Sequence, residues 1–139
     1  MKVFLGGTCT SNWRYRLIPM LKIDFFNPVV EDWNEECKQR EIEERDNCDF
    51  CLYVITPKME GVYSVFEVAD DSNKRPEKTV FCFLEEDENS RFSSKGIKSL
   101  KEVARRVEEN GAKYCRTLEE VAEYLNSSKV RKSKKAGKK

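Results

Sequence analysis

The sequence predicts a doubly wound α/β domain with a mainly parallel five-stranded sheet and helices on both faces, of the flavodoxin-like kind. Three observations carry that expectation. Apolar strand-like runs and helix-period segments alternate five times along the chain. The strands are short continuous apolar runs, such as Phe50-Cys51-Leu52-Tyr53-Val54-Ile55, which suits a parallel sheet covered on both sides. A length of 139 residues with 39% hydrophobic content allows one domain with a sizeable core.

Each element has a local reason. Lys2 to Leu5 is a short strand that runs into Gly6-Gly7-Thr8. Asn12 to about Leu21 reads as a helix, with Trp13, Leu17 and Leu21 at helical spacing and Pro19 set to kink or shorten it. Ile23 to Phe26 is a second strand, stopped by Asn27-Pro28. Glu35 to Asp46 is strongly charged, with Cys37 and Ile42 as its few apolar anchors, and reads as an exposed helix. The third strand is Phe50 to Ile55. Val62 to Asn73 follows as a helix whose expected core face is Val62, Val65, Phe66 and Ala69.

Thr79 to Leu84 is the fourth strand. The pattern Ser99-x-x-Glu102 predicts a capping box opening the next helix, with Leu100, Val103, Ala104 and Val107 inward and Gly111 closing it. Lys113 to Cys115 is a brief fifth strand. Thr117-x-x-Glu120 is a second capping box, ahead of Leu118, Val121, Ala122 and Leu125. The expected domain is 1–127, and the basic, low-complexity stretch 128–139 is expected to be a disordered tail.

Charge and composition narrow the chemistry. The net charge is +1, but the last eleven residues carry seven Lys or Arg. The remainder has 19 basic and 25 acidic residues, so an acidic body joins a cationic tail. Contact with nucleic acid is therefore expected only through that tail. There is no His, which excludes a Ser-His-Asp triad, a Cys-His pair and His-ligated zinc. Six cysteines at 9, 37, 48, 51, 82 and 115 are expected to be reduced. The Cys48-x-x-Cys51 pair falls at a buried strand and has no second half, so no metal and no cofactor are expected. No apolar run approaches the roughly 18 residues of a membrane helix. The opening residues are too short an apolar stretch for a signal peptide, so a cytoplasmic location is expected.

Ligands of doubly wound folds bind at the carboxyl ends of the strands. After the first strand, Gly6, Gly7 and Thr8 offer close backbone approach, free N–H groups and a hydroxyl, suited to a sugar or phosphate or simply to a tight turn. After the second, Asp32 and Trp33 set a carboxylate beside a flat ring, which could hold a nucleobase or merely cap the core. After the third, Glu67 follows Ser64 by three. It is either a capping-box glutamate or a first-turn carboxylate facing the cleft, kept ionised by the helix dipole.

These pieces occur in a familiar order. Val3-Phe4-Leu5-Gly6-Gly7-Thr8, Trp13-Arg14, Phe26-Asn27-Pro28, Asp32-Trp33, Cys48-Asp49 and Tyr63-Ser64-x-x-Glu67 resemble the nucleoside 2-deoxyribosyltransferase-like family, in its short bacterial and phage branch, over residues 2–86. The resemblance implies cleavage or transfer at the N-glycosidic bond of a 2′-deoxynucleoside or deoxynucleotide. It implies Glu67 as nucleophile at C1′, with a glycosyl-enzyme resolved by a second base or water. By the same resemblance Glu41, or with a slipped alignment Glu43, is the second acidic residue. Gly6 and Gly7 line the sugar pocket, Asp32 and Trp33 match an Asp-Trp pair, and Ser64 lies beside Glu67. Relatives carry an aspartate six residues before the nucleophile, where this chain has Gly61 next to Glu60. A homo-oligomer is implied as well. A non-catalytic nucleotide-binding module on the same fold is the alternative.

Overall fold

Strand order is what positions the site. In the computed structural model, which describes the backbone of residues 1–137 and the side chains of residues 1–127, five parallel strands form one sheet. They are β1 (Lys2–Gly7), β2 (Asp24–Phe26), β3 (Phe50–Ile55), β4 (Thr79–Phe83) and β7 (Lys113–Cys115), in the order β2-β1-β3-β4-β7. The chain steps outward from β1 first one way and then the other, so the switch point lies between β1 and β3. Their register pairs Val3 with Phe50 and Gly7 with Val54. That brings the ends of both strands to one level. The sheet and fold class agree with the sequence-based expectation.

The helices divide between two faces. α1 (Trp13–Leu17), ended by a 3-10 turn at Ile18–Met20 that contains Pro19, and α5 (Leu118–Gly137) cover one face. Trp13, Leu17, Val121 and Leu125 pack there on Val3, Leu5, Leu52 and Val54. α3 (Tyr63–Lys74) and α4 (Ser94–Glu109) cover the other face, with Val68, Leu100, Ala104 and Val107 on Phe4, Tyr53, Ile55 and Phe81. α2 (Glu35–Asn47) buries no residue. The segment 128–139, expected as a tail, lies outside the residues whose side chains are described.

Three local expectations are corrected. The core face of α3 is Glu67, Val68, Asp71 and Ser72. Val62, Tyr63 and Phe66 are exposed, with the two rings stacked 5.7 Å apart. Of the expected stripe only Val65 packs partly on the core, and the rest faces solvent because the polar stripe has buried partners of its own, described below. Ser64 and Glu67 form no capping box: Val62 is the N-cap and contributes no side-chain bond. The helix α4 also begins a turn earlier than its apolar periodicity suggests. Ser93 is its N-cap, accepting the Gly96 N–H at 3.0 Å, and Ser99 lies inside the helix while Glu102 pairs with Arg105. By contrast Thr117 caps α5, accepting the Glu120 N–H at 3.1 Å. A short hairpin, β5 (Glu86–Asp87) and β6 (Ser90–Arg91), carried no apolar signal and was not expected. Its Asp87 is buried against Ser11 and Arg16.

Candidate active site

At the carboxyl ends of β1 and β3 lies a cavity of about 770 Å³. Its floor is the β1–α1 loop. Gly7 has φ +119°, and a Cβ there would sit 2.1 Å from the Val54 carbonyl oxygen. A Cβ on Gly6 would meet the Tyr53 ring at 2.7 Å. Only glycine lets this loop press against β3. The loop is then tied down on both sides. The Thr8 N–H donates to the Val54 carbonyl and the Thr56 N–H donates to Thr8 Oγ1, each at 2.9 Å. The hydroxyl of Thr8 is thus occupied by a neighbouring loop.

Beneath the loop, Trp13 Nε1 donates to the Thr8 carbonyl at 2.8 Å. Buried Arg14 donates to the Leu5 carbonyl at 3.0 and 2.9 Å and to the Thr8 carbonyl at 2.7 Å. Burial pulls its guanidinium down to about 10. The Trp13-Arg14 pair therefore clamps the loop from behind.

α2 supplies one wall. Lys38, Glu41, Ile42 and Arg45 all line the cavity. They are spaced i, i+3, i+4 and i+7, a single helical stripe. This explains why the helix buries nothing: its inward face borders a cavity instead of the core. Glu43 is exposed and outside the lining, so Glu41 is the acid that this helix presents. The loop after β2 contributes Pro28, Val29, Val30 and Trp33, and Met59 from the loop after β3 also lines the cavity. Asp32 is exposed and does not line the cavity. Glu60, Gly61, Tyr63 and Ser64 form the remaining rim.

Glu67 comes from α3 and is buried, its side chain only 10% exposed. It is the fifth residue of the helix, beyond the first turn in which the dipole acts strongly. The dipole therefore does not control its charge. Burial pushes the carboxyl up to about 7; Arg45 opposes this, and Glu41 and Asp71 reinforce it. Arg45 Nη1 lies 3.6 Å from Glu67 Oε2.

Arg45 is held from behind. Its Nε and Nη2 donate to Asp71 at 3.1 and 2.9 Å. Asp71, fully buried, also accepts from the Tyr53 hydroxyl and from Arg75 Nε at 3.0 Å. Burial opposes ionisation of Asp71, but the hydrogen bonds from Arg45 and Tyr53 outweigh it and hold the carboxyl below its usual range.

The structure thus brings Glu67, Glu41, Gly6, Gly7, Thr8, Trp33 and Ser64 to one cavity and leaves Asp32 outside. Arg45, Asp71 and Tyr53 carried no sequence motif. A signal for them did exist. Arg45 follows Glu41 by four on α2, and Asp71 follows Glu67 by four on α3, the spacing that stacks side chains on one helix face.

No helix among the described residues is long and apolar enough to cross a membrane, and no cluster of three potential metal ligands occurs among them. Fold and cavity together define a doubly wound α/β protein with a candidate ligand cavity at the β1/β3 switch point, lined by a buried carboxylate. A family model described as nucleoside 2-deoxyribosyltransferase like matches residues 1–86, more than half of the chain, and the protein belongs to that family. The matched span contains every residue of the cavity wall. Neither the curated proteins nor the solved structures contain a significant match.

Proposed function

We propose that the protein cleaves, or transfers at, the N-glycosidic bond of 2′-deoxynucleosides or deoxynucleotides, with Glu67 as the nucleophile. The observation that carries the reading is a buried glutamate facing a sizeable cavity, with a second carboxylate, Glu41, on the opposing helix. Departure of the base builds positive charge at C1′. An ionised Glu67 beneath the ring stabilises that charge and then bonds to C1′ as the C1′–N bond breaks. The leaving base takes up a proton, for which Glu41 on the cavity wall is the candidate carrier. Water or a second base then attacks C1′ and releases Glu67.

The rest of the cavity suits such a substrate. Gly6 and Gly7, pressed against β3, put backbone at the cavity floor where the sugar would lie. Val29, Val30, Trp33, Ile42 and Met59 offer an apolar wall for a flat base. Gly61 occupies the place where relatives carry an aspartate, and Glu60 beside it reaches the same rim. Exposed Val62, Tyr63 and Phe66 flank the rim. Their coverage by a second copy of the chain is part of the same reading.

The test is incubation with a panel of deoxynucleosides and deoxynucleotides, with and without acceptor bases, followed by chromatography. Release of free base, or appearance of an exchanged nucleoside, is expected. Binding without any turnover across the panel favours the non-catalytic nucleotide-binding module instead.

A further inference from the structure

We propose that Arg45 is the positioning residue of Glu67: anchored on buried Asp71, its guanidinium holds the Glu67 carboxylate, with its charge, at the cavity. The proposal deepens the reading of Glu67 as the reacting group and depends on that reading only for its kinetic consequence.

The geometry is asymmetric. Two nitrogens of Arg45 are spent on Asp71, at 3.1 and 2.9 Å. The third, Nη1, is the one that reaches Glu67, at 3.6 Å. A forked contact of this kind fixes the plane of the guanidinium, which a single contact to a flexible carboxylate would not do. Asp71 is itself fixed by Tyr53 from β3 and by Arg75. Arg45 therefore cannot follow Glu67, whereas Glu67 can settle against Arg45.

The charges around Glu67 make this contact decisive. From α2 it meets Arg45 and Glu41, and from its own helix Asp71. Asp70 lies 3.9 Å from Arg45. Tyr53 is committed to Asp71, and Arg14 on the cavity floor is committed to backbone carbonyls. Arg45 is thus the one cation in direct contact with Glu67 among the described residues. Burial and two neighbouring acids act against ionisation, and Arg45 alone favours it. Asp71 plays two parts: it anchors the guanidinium and partly cancels its charge.

The charges of Arg45 and Asp71 act on Glu67 with opposite signs, so removing each in turn gives opposite predictions. Arg45→Gln removes the cation, so the Glu67 pKa should rise by about one to three units, the usual effect of an opposite charge at this range. Asp71→Asn keeps an amide oxygen to accept from the Arg45 guanidinium and removes a competing negative charge, so the Glu67 pKa should fall. A role in packing alone has no reason to move the two variants in opposite directions.

The measurement is a 13C NMR titration of protein labelled at glutamate side-chain carboxyls, with the Glu67 signal assigned by its absence from Glu67→Gln. It needs no substrate. Opposite shifts in the two variants support the proposal. An unmoved Glu67 in either folded variant, or a shift against the expected direction, overturns it; if only one variant folds, its direction decides, a rise for Arg45→Gln or a fall for Asp71→Asn. The pH profile of kcat/KM is read alongside. If the NMR shifts occur and the kinetic profile stays fixed, the positioning role stands and Glu67 is not the reacting group.

Discussion

At the scale of single residues, two glycines and one glutamate show how differently positions in the same cavity are constrained. A Cβ on Gly7 would collide with the Val54 backbone at a positive φ, whereas a Cβ on Gly61 would meet nothing within 4 Å. Gly7→Ala should therefore cost more than about 2 kcal/mol of stability, and Gly61→Ala less than about 0.5 kcal/mol. Urea unfolding of the two variants checks the contrast. For Glu67 the folded pKa, about 7, lies above its ordinary value of 4.5. The folded state thus binds the proton more tightly than the unfolded chain. The stability this contributes is fully present below about pH 4.5 and is lost as pH rises through about 7. Glu67→Gln mimics the protonated form, so wild type should lose stability relative to it between pH 5 and pH 8, as followed by chemical denaturation at each pH. Activity should run the opposite way. If the ionised carboxylate attacks, kcat/KM rises with pH and levels off above about 7.

At the scale of elements, what the sequence made legible was hydrophobic period, and what it hid was polar partnership. The third strand, Phe50–Ile55, and the fifth, Lys113–Cys115, fall where their apolar runs end. The inward residues Leu100, Ala104 and Val107 of α4 are also as expected. The α3 face was misjudged because its buried stripe is Glu67, Asp71 and Ser72 beside Val68, and such residues look like a solvent face until their partners are known. Tyr53, Arg45 and Arg75 reach Asp71 from other elements or a turn away, so no local window contains the pattern. The α4 start was misplaced for a related reason: the pair Ser93-Ser94 competes with the single Ser99 as cap, and the pair precedes the buried anchor Leu100 by several residues. The cap now in place is testable. Ser93→Ala should cost about 1 kcal/mol, the usual loss for removing an N-cap hydroxyl. Ser99→Ala, in an exposed position inside the helix, should change stability little or raise it slightly. Equilibrium denaturation of both variants decides which serine caps the helix.

At the scale of the whole molecule, the cysteines report on the core and the cavity reports on function. Cys48, Cys51, Cys82 and Cys115 are buried, and burial raises the thiols of Cys48 to about 12 and of Cys51 and Cys115 to about 11. Cys9 is exposed and Cys37 half-buried. A thiol reagent should therefore label Cys9 and Cys37 in the native protein and reach six thiols only on unfolding, with the last four appearing together as the sheet opens. Cys9 lies on the cavity wall, so a ligand bound there should slow its labelling and leave Cys37 unaffected. The central claim is that Glu67 bonds to C1′ of the sugar. A 2-fluoro-2-deoxynucleoside makes that bond and releases it slowly, because the fluorine destabilises the charge that builds at C1′. Intact-mass and peptide mass spectrometry after incubation with such a compound is the most direct test. The account predicts a stoichiometric glycosyl adduct on the peptide containing Glu67, absent from Glu67→Gln, which should also have lost turnover. A Glu67→Gln protein that retains full activity, or an adduct mapped to another residue, would contradict it.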